Sequence, residues 1–316
     1  MESIHIPVLL HEVVDAATMA GPAGPIGSHR KATQPLWYLD GTLGGAGHAL
    51  ALAKAFKGEI NVIGLDKDPT AIARAEKTLK GKAGKVIIEN ADFRKLADVL
   101  DKHDVSGVDF ILLDLGISSD ELESSGRGFS FQKDEPLHMT MGDPAKAPFT
   151  AQSIVNGWKE EDIANVIFAY GEERYARRIA KAIVVYREKK PIETTHELAE
   201  IVKMSIPFKR GGKPLKIHPA TKTFQALRIA VNDELAALKE GLHAGFARLN
   251  PNGRIAVISF HSLEDRIVKV LFKEMADKGG IIMTKKPITA TAQEIAENPR
   301  SRSAKLRILQ KTQENT

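Results

Sequence analysis

The sequence predicts an α/β fold, an open and mostly parallel sheet wound on both faces, with a mostly helical domain inserted into it. Three observations predict it. From Pro35 to Gly116, short β-rich apolar runs alternate with helical patterns, which argues for parallel strands joined by right-handed crossovers. The glycine-rich turn "DGTLGGAGH" (40–48) follows the first of those runs and opens a helix, the arrangement of a cofactor loop. The alternation then stops near Ile117 and resumes in the last third of the chain. The domain reading is therefore 1–120 with 218–316 for the sheet, and 121–217 for the insert.

Each element has its reason. "PLWYLD" (35–40), "INVIGLD" (60–66), "KVIIEN" (85–90) and "VDFILLDLG" (108–116) read as strands one to four. Helices fall between them at 48–56, 69–81 and 93–103. Pro69 suits the first turn of the second of these, and Gly81 lies near its end. In the insert, helical patterns run at 150–158, 160–171, 173–189 and 194–206. Thr194 or Thr195 is an N-cap for the last, with Glu197 near the position that completes a capping box. One long amphipathic segment spans 219–249, then "RIAVISF" (254–260) is strand five and 263–279 a helix. "GIIMT" (280–284) and "KLRILQK" (305–311) form a final edge pair. The proline- and glycine-rich stretch 20–35 is a surface loop, and no internal repeat is seen.

Composition narrows the function. At 316 residues the chain suits about two domains, and 43% hydrophobic with 27% charged residues suits a compact fold. Without cysteine there is no disulfide, thiolate zinc site or cysteine nucleophile, which fits a reducing cytoplasm. The N-terminal stretch lacks a basic leader, and no apolar run approaches the roughly 18 residues of a membrane span. Net charge is +5, and from Ile201 to Asn232 there are seven Lys or Arg and no Asp or Glu. A block of one sign beside glycines and prolines reads as a phosphate-contact surface or a solvated loop.

Acids fall at or just past four strand ends: Asp40, Asp66, Asp92 and Asp114. One such Asp reads as a helix cap; four around a glycine loop read as a site. Two cofactors compete for the loop. A dinucleotide needs a third glycine, and Leu50 stands in that place, while Asp40 would repel a diphosphate. S-adenosylmethionine carries an ammonium and a sulfonium, which acids attract. Asp66 suits ribose hydroxyls in either case, and Phe93 suits an adenine face or the core. The motif from Asp114 to Ser119 lies where a methyl acceptor would meet the sulfonium, but lacks the Pro-Pro-aromatic pattern of many amino-group methyltransferases, so spacing alone leaves the acceptor open.

The segments "HIPVLLHEVV" (5–14), "DGTLGGAGH" (40–48), "RGFSF" (127–131), "YGEERYARRIAKAIV" (170–184), "FQALRIAVNDEL" (224–235), "ISFHSLEDRIVK" (258–269) and "NPRSRSAKLRI" (298–308) resemble, in order, the bacterial 16S rRNA (cytosine-N4) methyltransferase family, RsmH or MraW. The resemblance covers nearly the whole chain. It implies a Rossmann-like class I S-adenosylmethionine-dependent methyltransferase sheet and methylation of N4 of a decoding-centre cytidine in 16S rRNA. It also places cofactor contacts at Ala46, Gly47, His48, Asp66, Phe93, Asp114 and Glu121. Ala46 stands where the family usually has glycine, Glu121 where it has glutamine, and His138 and Thr140 where it has an acid and a base.

Asp114 is a candidate to accept from the amine, and Ser259, His261 and Asp265 after strand five are a second set for holding the base. The base must leave its stack to react. Lys209, Arg210, Lys213, Lys216 and Lys222 are expected to grip RNA, with Arg174, Arg177 and Arg178 beside Tyr170 and Tyr175 adding contacts. No metal-ligand spacing is present. The expected partner is 16S rRNA in the small ribosomal subunit, with no membrane. The copy number stays open and includes a homodimer. A non-catalytic ribosome-assembly factor and an NAD-dependent oxidoreductase are the other readings.

Overall fold

The computed structural model describes residues 6–22, 24–28, 34–117, 122, 125–207 and 217–312, and two compact units divide it. The first comprises 1–116 and 235–316, the second 117–234.

The first unit is built on an eight-stranded sheet. β1 (Leu36–Asp40), β2 (Ile60–Asp66), β3 (Val86–Asn90), β4 (Val108–Asp114) and β5 (Leu249–Ser259) run parallel in the order β3-β2-β1-β4-β5. β2 and β4 are buried along all but their last residue, which is why both read as continuous apolar runs. The strand order reverses between β1 and β4, and the carboxyl ends of those two strands flank the crevice where ligands of such sheets bind. This is the Rossmann-like arrangement that the resemblance implies.

The far edge differs from expectation. β8 (Lys305–Lys311) lies inside the sheet, antiparallel to β5 on one side and to β6 (Gly280–Ile282) and β7 (Ile288–Thr289) on the other. Its run Leu306–Gln310 is buried, so it is a core strand and not one half of an edge pair. Helices α1 (Leu10–Thr18), α2 (Gly47–Ala55) and α3 (Pro69–Leu79) pack with the apolar cluster on one sheet face. α4 (Leu96–Lys102) packs with the cluster on the other. Pro69 takes the first turn of α3 as predicted, with Asp68 as its N-cap.

The loop after α1 is fastened to the sheet at Gly21 and Gly24. Arg254 of β5 is fully buried and donates through Nη1 to the Ala16 carbonyl and through Nη2 to Gly24 O at 3.2 Å. Gln310 of β8 donates to Gly24 O (2.8 Å) and Asn252 O (3.1 Å). Gly21 is required there, because a Cβ would lie 2.4 Å from the Gln310 Oε1 and 2.7 Å from the Arg254 Nη2.

The second unit is helical. α5 (Ala151–Gly157), α6 (Glu160–Gly171), α7 (Ala176–Arg187), α8 (Thr195–Ser205) and α9 (Thr221–Asn232) enclose one apolar core. Thr194 caps α8, and its capping box with Glu197 is present in full. The expected single segment 219–249 is two helices. Asp233 adopts left-handed backbone (φ 50°) between α9 and α10 (Glu234–Arg248), and Glu234 takes both Nε and Nη2 of Arg228 at 2.8 Å. The break lets Phe224, Leu227 and Val231 join the helical core while Leu238 and Leu242 join the sheet's core. The division between units therefore falls after Glu234, and α9 packs with the insert rather than with the sheet domain. Among the described residues no helix is long and apolar enough to cross a membrane.

Replacing Arg254 by Ala takes the guanidinium donor from the Ala16 carbonyl, leaves the Gly24 carbonyl to Gln310 alone, and opens a cavity. Urea unfolding of Arg254→Ala should show a loss of about 3 kcal/mol, and Arg254→Lys a smaller one.

Candidate functional site

Tyr38 and Asp40 are two residues apart on β1 and so share a face. The Tyr38 hydroxyl donates to Asp40 Oδ2 at 2.6 Å, and the Thr42 N–H donates to Asp40 Oδ1 at 3.1 Å. The Thr42 hydroxyl oxygen in turn accepts the Asp114 N–H at 2.7 Å. A continuous chain therefore links Tyr38, Asp40, Thr42 and Asp114 across the crevice between β1 and β4. Tyr38 and Thr42 are positioning residues that the sequence reading missed. The period-two spacing of Tyr38 and Asp40 was the available signal.

The glycine loop is held from both ends. Asp66 accepts from Gly44 N at 2.7 Å through one oxygen and from Asp68 N at 2.8 Å through the other. Leu43 N donates to Leu65 O at 2.9 Å, and Leu43 fits because residue 64 is glycine: a Cβ there would lie 2.4 Å from Leu43 Cδ2. Ala46 is fully buried, at φ 62°, and caps α2. Its methyl group joins the core, and the left-handed backbone costs about 1 kcal/mol. Gly47 is small because Pro7 packs on it, with Pro7 Cγ 2.4 Å from where a Cβ would be. His48 bonds Val8 O through Nε2 at 2.9 Å and sets Nδ1 3.9 Å from Asp114 Oδ2. Phe93 lies against Gly41 and Gly241, and a Cβ on Gly241 would fall 2.5 Å from its ring. Asp92 accepts from Arg94 N at 3.0 Å and pairs with Lys67 at 3.1 Å, so it serves as a cap.

Electrostatically the crevice is crowded with acid. Burial pushes Asp40 up to about 6, opposed by the bonds from Tyr38 and Thr42 and aided by the charge of Asp66. Burial, then the charges of Asp40 and Glu264, pushes Asp114 up to about 7. Asp66 is raised by burial, with its two N–H donors acting the other way. Burial, then the Asp40 charge, raises Tyr38, so its proton stays on the hydroxyl. Among the described residues no Lys or Arg pairs with Asp40 or Asp114, and Asp114 Oδ1 is buried without a hydrogen-bond partner. The donor set fits a small cationic ligand that brings N–H or C–H donors, and suits a diphosphate badly.

The second set lies at and beyond the carboxyl end of β5, and structural contacts engage each member. Ser259 is buried, with Oγ 3.4 Å from the Lys305 carbonyl. His261 caps α11 (Ser262–Ala276) in a capping box with Glu264, which accepts Phe260 N at 2.8 Å. Asp265 accepts Arg307 Nε at 2.7 Å and Lys305 Nζ at 3.2 Å; burial alone would raise it, and those two cations hold it below the usual range. Thr140 is buried, its hydroxyl donating to Gly142 O at 3.2 Å. Glu121, Lys209, Arg210, Lys213 and Lys216 lie outside the described residues. Lys222 sits on α9 and donates to the Glu172 carbonyl at 2.8 Å.

A raised carboxyl binds its proton more tightly folded than unfolded. Its favourable contribution is complete below the unfolded value near 3.8 and is lost as pH rises toward 7. Asp114→Asn escapes that loss. Thermal or urea unfolding at pH 8 should find this variant about 2–4 kcal/mol more stable than wild type, with the gap closing toward pH 4.

Known proteins bear on this site. A family model described as the MraW methylase family matches residues 2–312. The ribosomal RNA small subunit methyltransferase H of Heliobacterium mobile is 43% identical over 98% of this chain and 100% of that protein. The proteins of the same name from Geobacter sulfurreducens and Deinococcus deserti are 47% and 49% identical, over 87% and 85% of this chain and 92% and 85% of theirs. With a family match across almost the entire length, on top of a sheet whose switch point carries a glycine loop and three acids, this chain belongs to the MraW methylase family.

Proposed function

We propose that this protein transfers a methyl group from S-adenosylmethionine to N4 of a decoding-centre cytidine of 16S rRNA in the small ribosomal subunit, acting in the cytoplasm. The observation that carries the reading is Asp114 Oδ1, buried and unpartnered at the end of β4 beside the glycine loop. Family membership and the names of the relatives support it.

S-adenosylmethionine supplies an electrophilic methyl group on a sulfonium. The residues that would hold it are Asp66 toward the ribose, Phe93 toward the adenine, the 44–47 loop by its backbone, and Asp40 with Asp114 toward the cationic end. Asp40 and Asp114 act on charge: each loses its own proton more readily when a cation is near.

The chain's further task is to orient a weak nucleophile. The lone pair of the cytosine amine is spread into the ring. Asp114 Oδ1 can accept one amine N–H and turn that lone pair out of the ring plane, toward the methyl group. As the N4–carbon bond forms and the carbon–sulfur bond breaks, the nitrogen must give up one proton. The Asp114 carboxylate, ionised and at hydrogen-bond distance, can take it and release it to water. The Thr42 hydroxyl fixes the Asp114 backbone during this, and Tyr38 fixes Asp40.

Incubation of small subunits with the protein and an isotopically labelled donor, followed by mass spectrometry of the digested RNA, should find one N4-methylcytidine. Transfer to a different atom, or none, overturns the reading. Asp114→Asn should lower kcat about 100-fold or more and abolish the rise of rate with pH near 7.

Affinity for S-adenosylmethionine should rise with pH between about 5 and 7.5 as Asp40 and Asp114 ionise. Tyr38→Phe removes a donor from ionised Asp40 and moves that rise upward. Calorimetry should show about 3- to 10-fold weaker binding than wild type at pH 7, converging by pH 8.5.

A further inference from the structure

α7 carries a face of positive charge that its own unit does not use. Its buried side is Ala176, Ile179, Ala180 and Ile183, which pack in the helical core. Arg177, Arg178 and Lys181 are exposed on the opposite side, and exposed Arg174 stands just before the helix. At 3.6 residues per turn the three helical cations fall within roughly a third of the circumference, and Lys181 lies about 6 Å along the axis from Arg177. Among the described residues, none of Arg177, Arg178 and Lys181 has an ion-pair or hydrogen-bond partner. Arg174 is set apart from them, with its guanidinium 4.5 Å over the Tyr175 ring.

Stability does not account for this placement. Arg177 and Arg178 sit in the first turn, where the helix dipole is positive and no acid is present. Like charges three and four residues apart, Arg177 with Lys181 and Arg178 with Lys181, repel each other. Of the two acids just before the helix, Glu172 is the C-cap of α6, and Glu173 is buried and turned to its own backbone, accepting Tyr175 N at 2.9 Å. The next acid on this face is Glu188, at the C-cap. Each arrangement costs the free protein a few tenths of a kcal/mol that an acid at any of these positions would recover.

We propose that this face of α7, Arg177, Arg178 and Lys181 with Arg174 at its mouth, is a contact surface for the phosphate backbone of the substrate RNA. It deepens the proposed function and rests on it for the identity of the RNA. Phosphates supply the negative charge missing from the face. The contacts position the RNA without reading its sequence.

The test is the triple variant Arg177→Gln, Arg178→Gln, Lys181→Gln, beside Arg177→Glu with Arg178→Glu and a control, Lys77→Gln with Lys80→Gln, two exposed lysines in the last turn and at the C-cap of α3. Binding of 16S rRNA and of small subunits is measured across salt concentrations, with methyl transfer and S-adenosylmethionine affinity in parallel. The triple variant should bind RNA about 10-fold or more weakly at 0.1 M salt, and its log–log salt slope should be shallower by about 2. Its cofactor affinity should match wild type and its melting temperature should not fall; the Glu variant should melt slightly higher. The control should retain wild-type RNA binding.

Unchanged RNA affinity and salt slope in a folded triple variant overturns the proposal. So does an equal loss in the control, which would mean overall charge rather than this face. Wild type that binds RNA through this face but transfers no methyl group would refute the proposed function alone.

Discussion

Three carboxylates converge at the carboxyl ends of β1, β2 and β4, in surroundings dry enough to push Asp40 and Asp114 toward neutral pH. The free protein bears this crowding because hydrogen bonds place each acid without neutralising it. Asp66 spends both oxygens on backbone N–H groups of the loop and of the turn into α3. Asp40 is fixed by Tyr38 and Thr42, and Thr42 fixes Asp114 in turn. The site is thus a store of unfavourable charge, held in shape by neutral donors, and a cationic ligand relieves it. Preorganisation of this kind places the cost of assembling the charges in folding rather than in binding.

The glycines around this site have separate reasons. Gly64 makes room for Leu43, and Gly47 makes room for Pro7. Ala46 shows that the loop tolerates a side chain where its backbone is left-handed, provided the methyl group can enter the core. Gly45, by contrast, has no atom within 4 Å of a hypothetical Cβ, so its face of the loop is open. The loop's composition therefore reflects packing from beneath as much as approach of a ligand from above.

Much of this was legible in the sequence. The parallel strands announced themselves as apolar runs ending in Asp, because the strands are buried on both faces and the acids begin the turns that follow. The first-turn Pro69 and the cap at Thr194 were local and could be read locally. What escaped needed distant partners. The break at Asp233 leaves the 3.6-residue periodicity nearly intact, and only the two cores that α9 and α10 serve reveal it. β8 resembles an edge strand until β6 and β7 are seen on its outer side. Tyr38 looks like a core aromatic, which it is; its hydroxyl matters because Asp40 is two residues away on the same face. Ser259, His261 and Asp265 were placed at the right edge of the sheet, but local pattern could not show that Lys305, Glu264 and Arg307 engage them.

Pro7 packing on Gly47 has a consequence for how the protein is made. The segment that bears on the glycine loop is itself tied to residues far along the chain: Leu9 N donates to Glu294 at 2.7 Å, and Asn298 donates to the Ile6 carbonyl at 3.1 Å. These contacts join positions separated by 285 and 292 residues along the chain. β8, which completes the sheet beside β5, emerges later still. A nascent chain can form β1 to β4 early, but the loop that defines the crevice gains its full support only after Glu294 and Asn298 have followed. The pocket is thus finished late in the order of translation relative to its own strands, and the long-range closure makes this unit the slower of the two to settle.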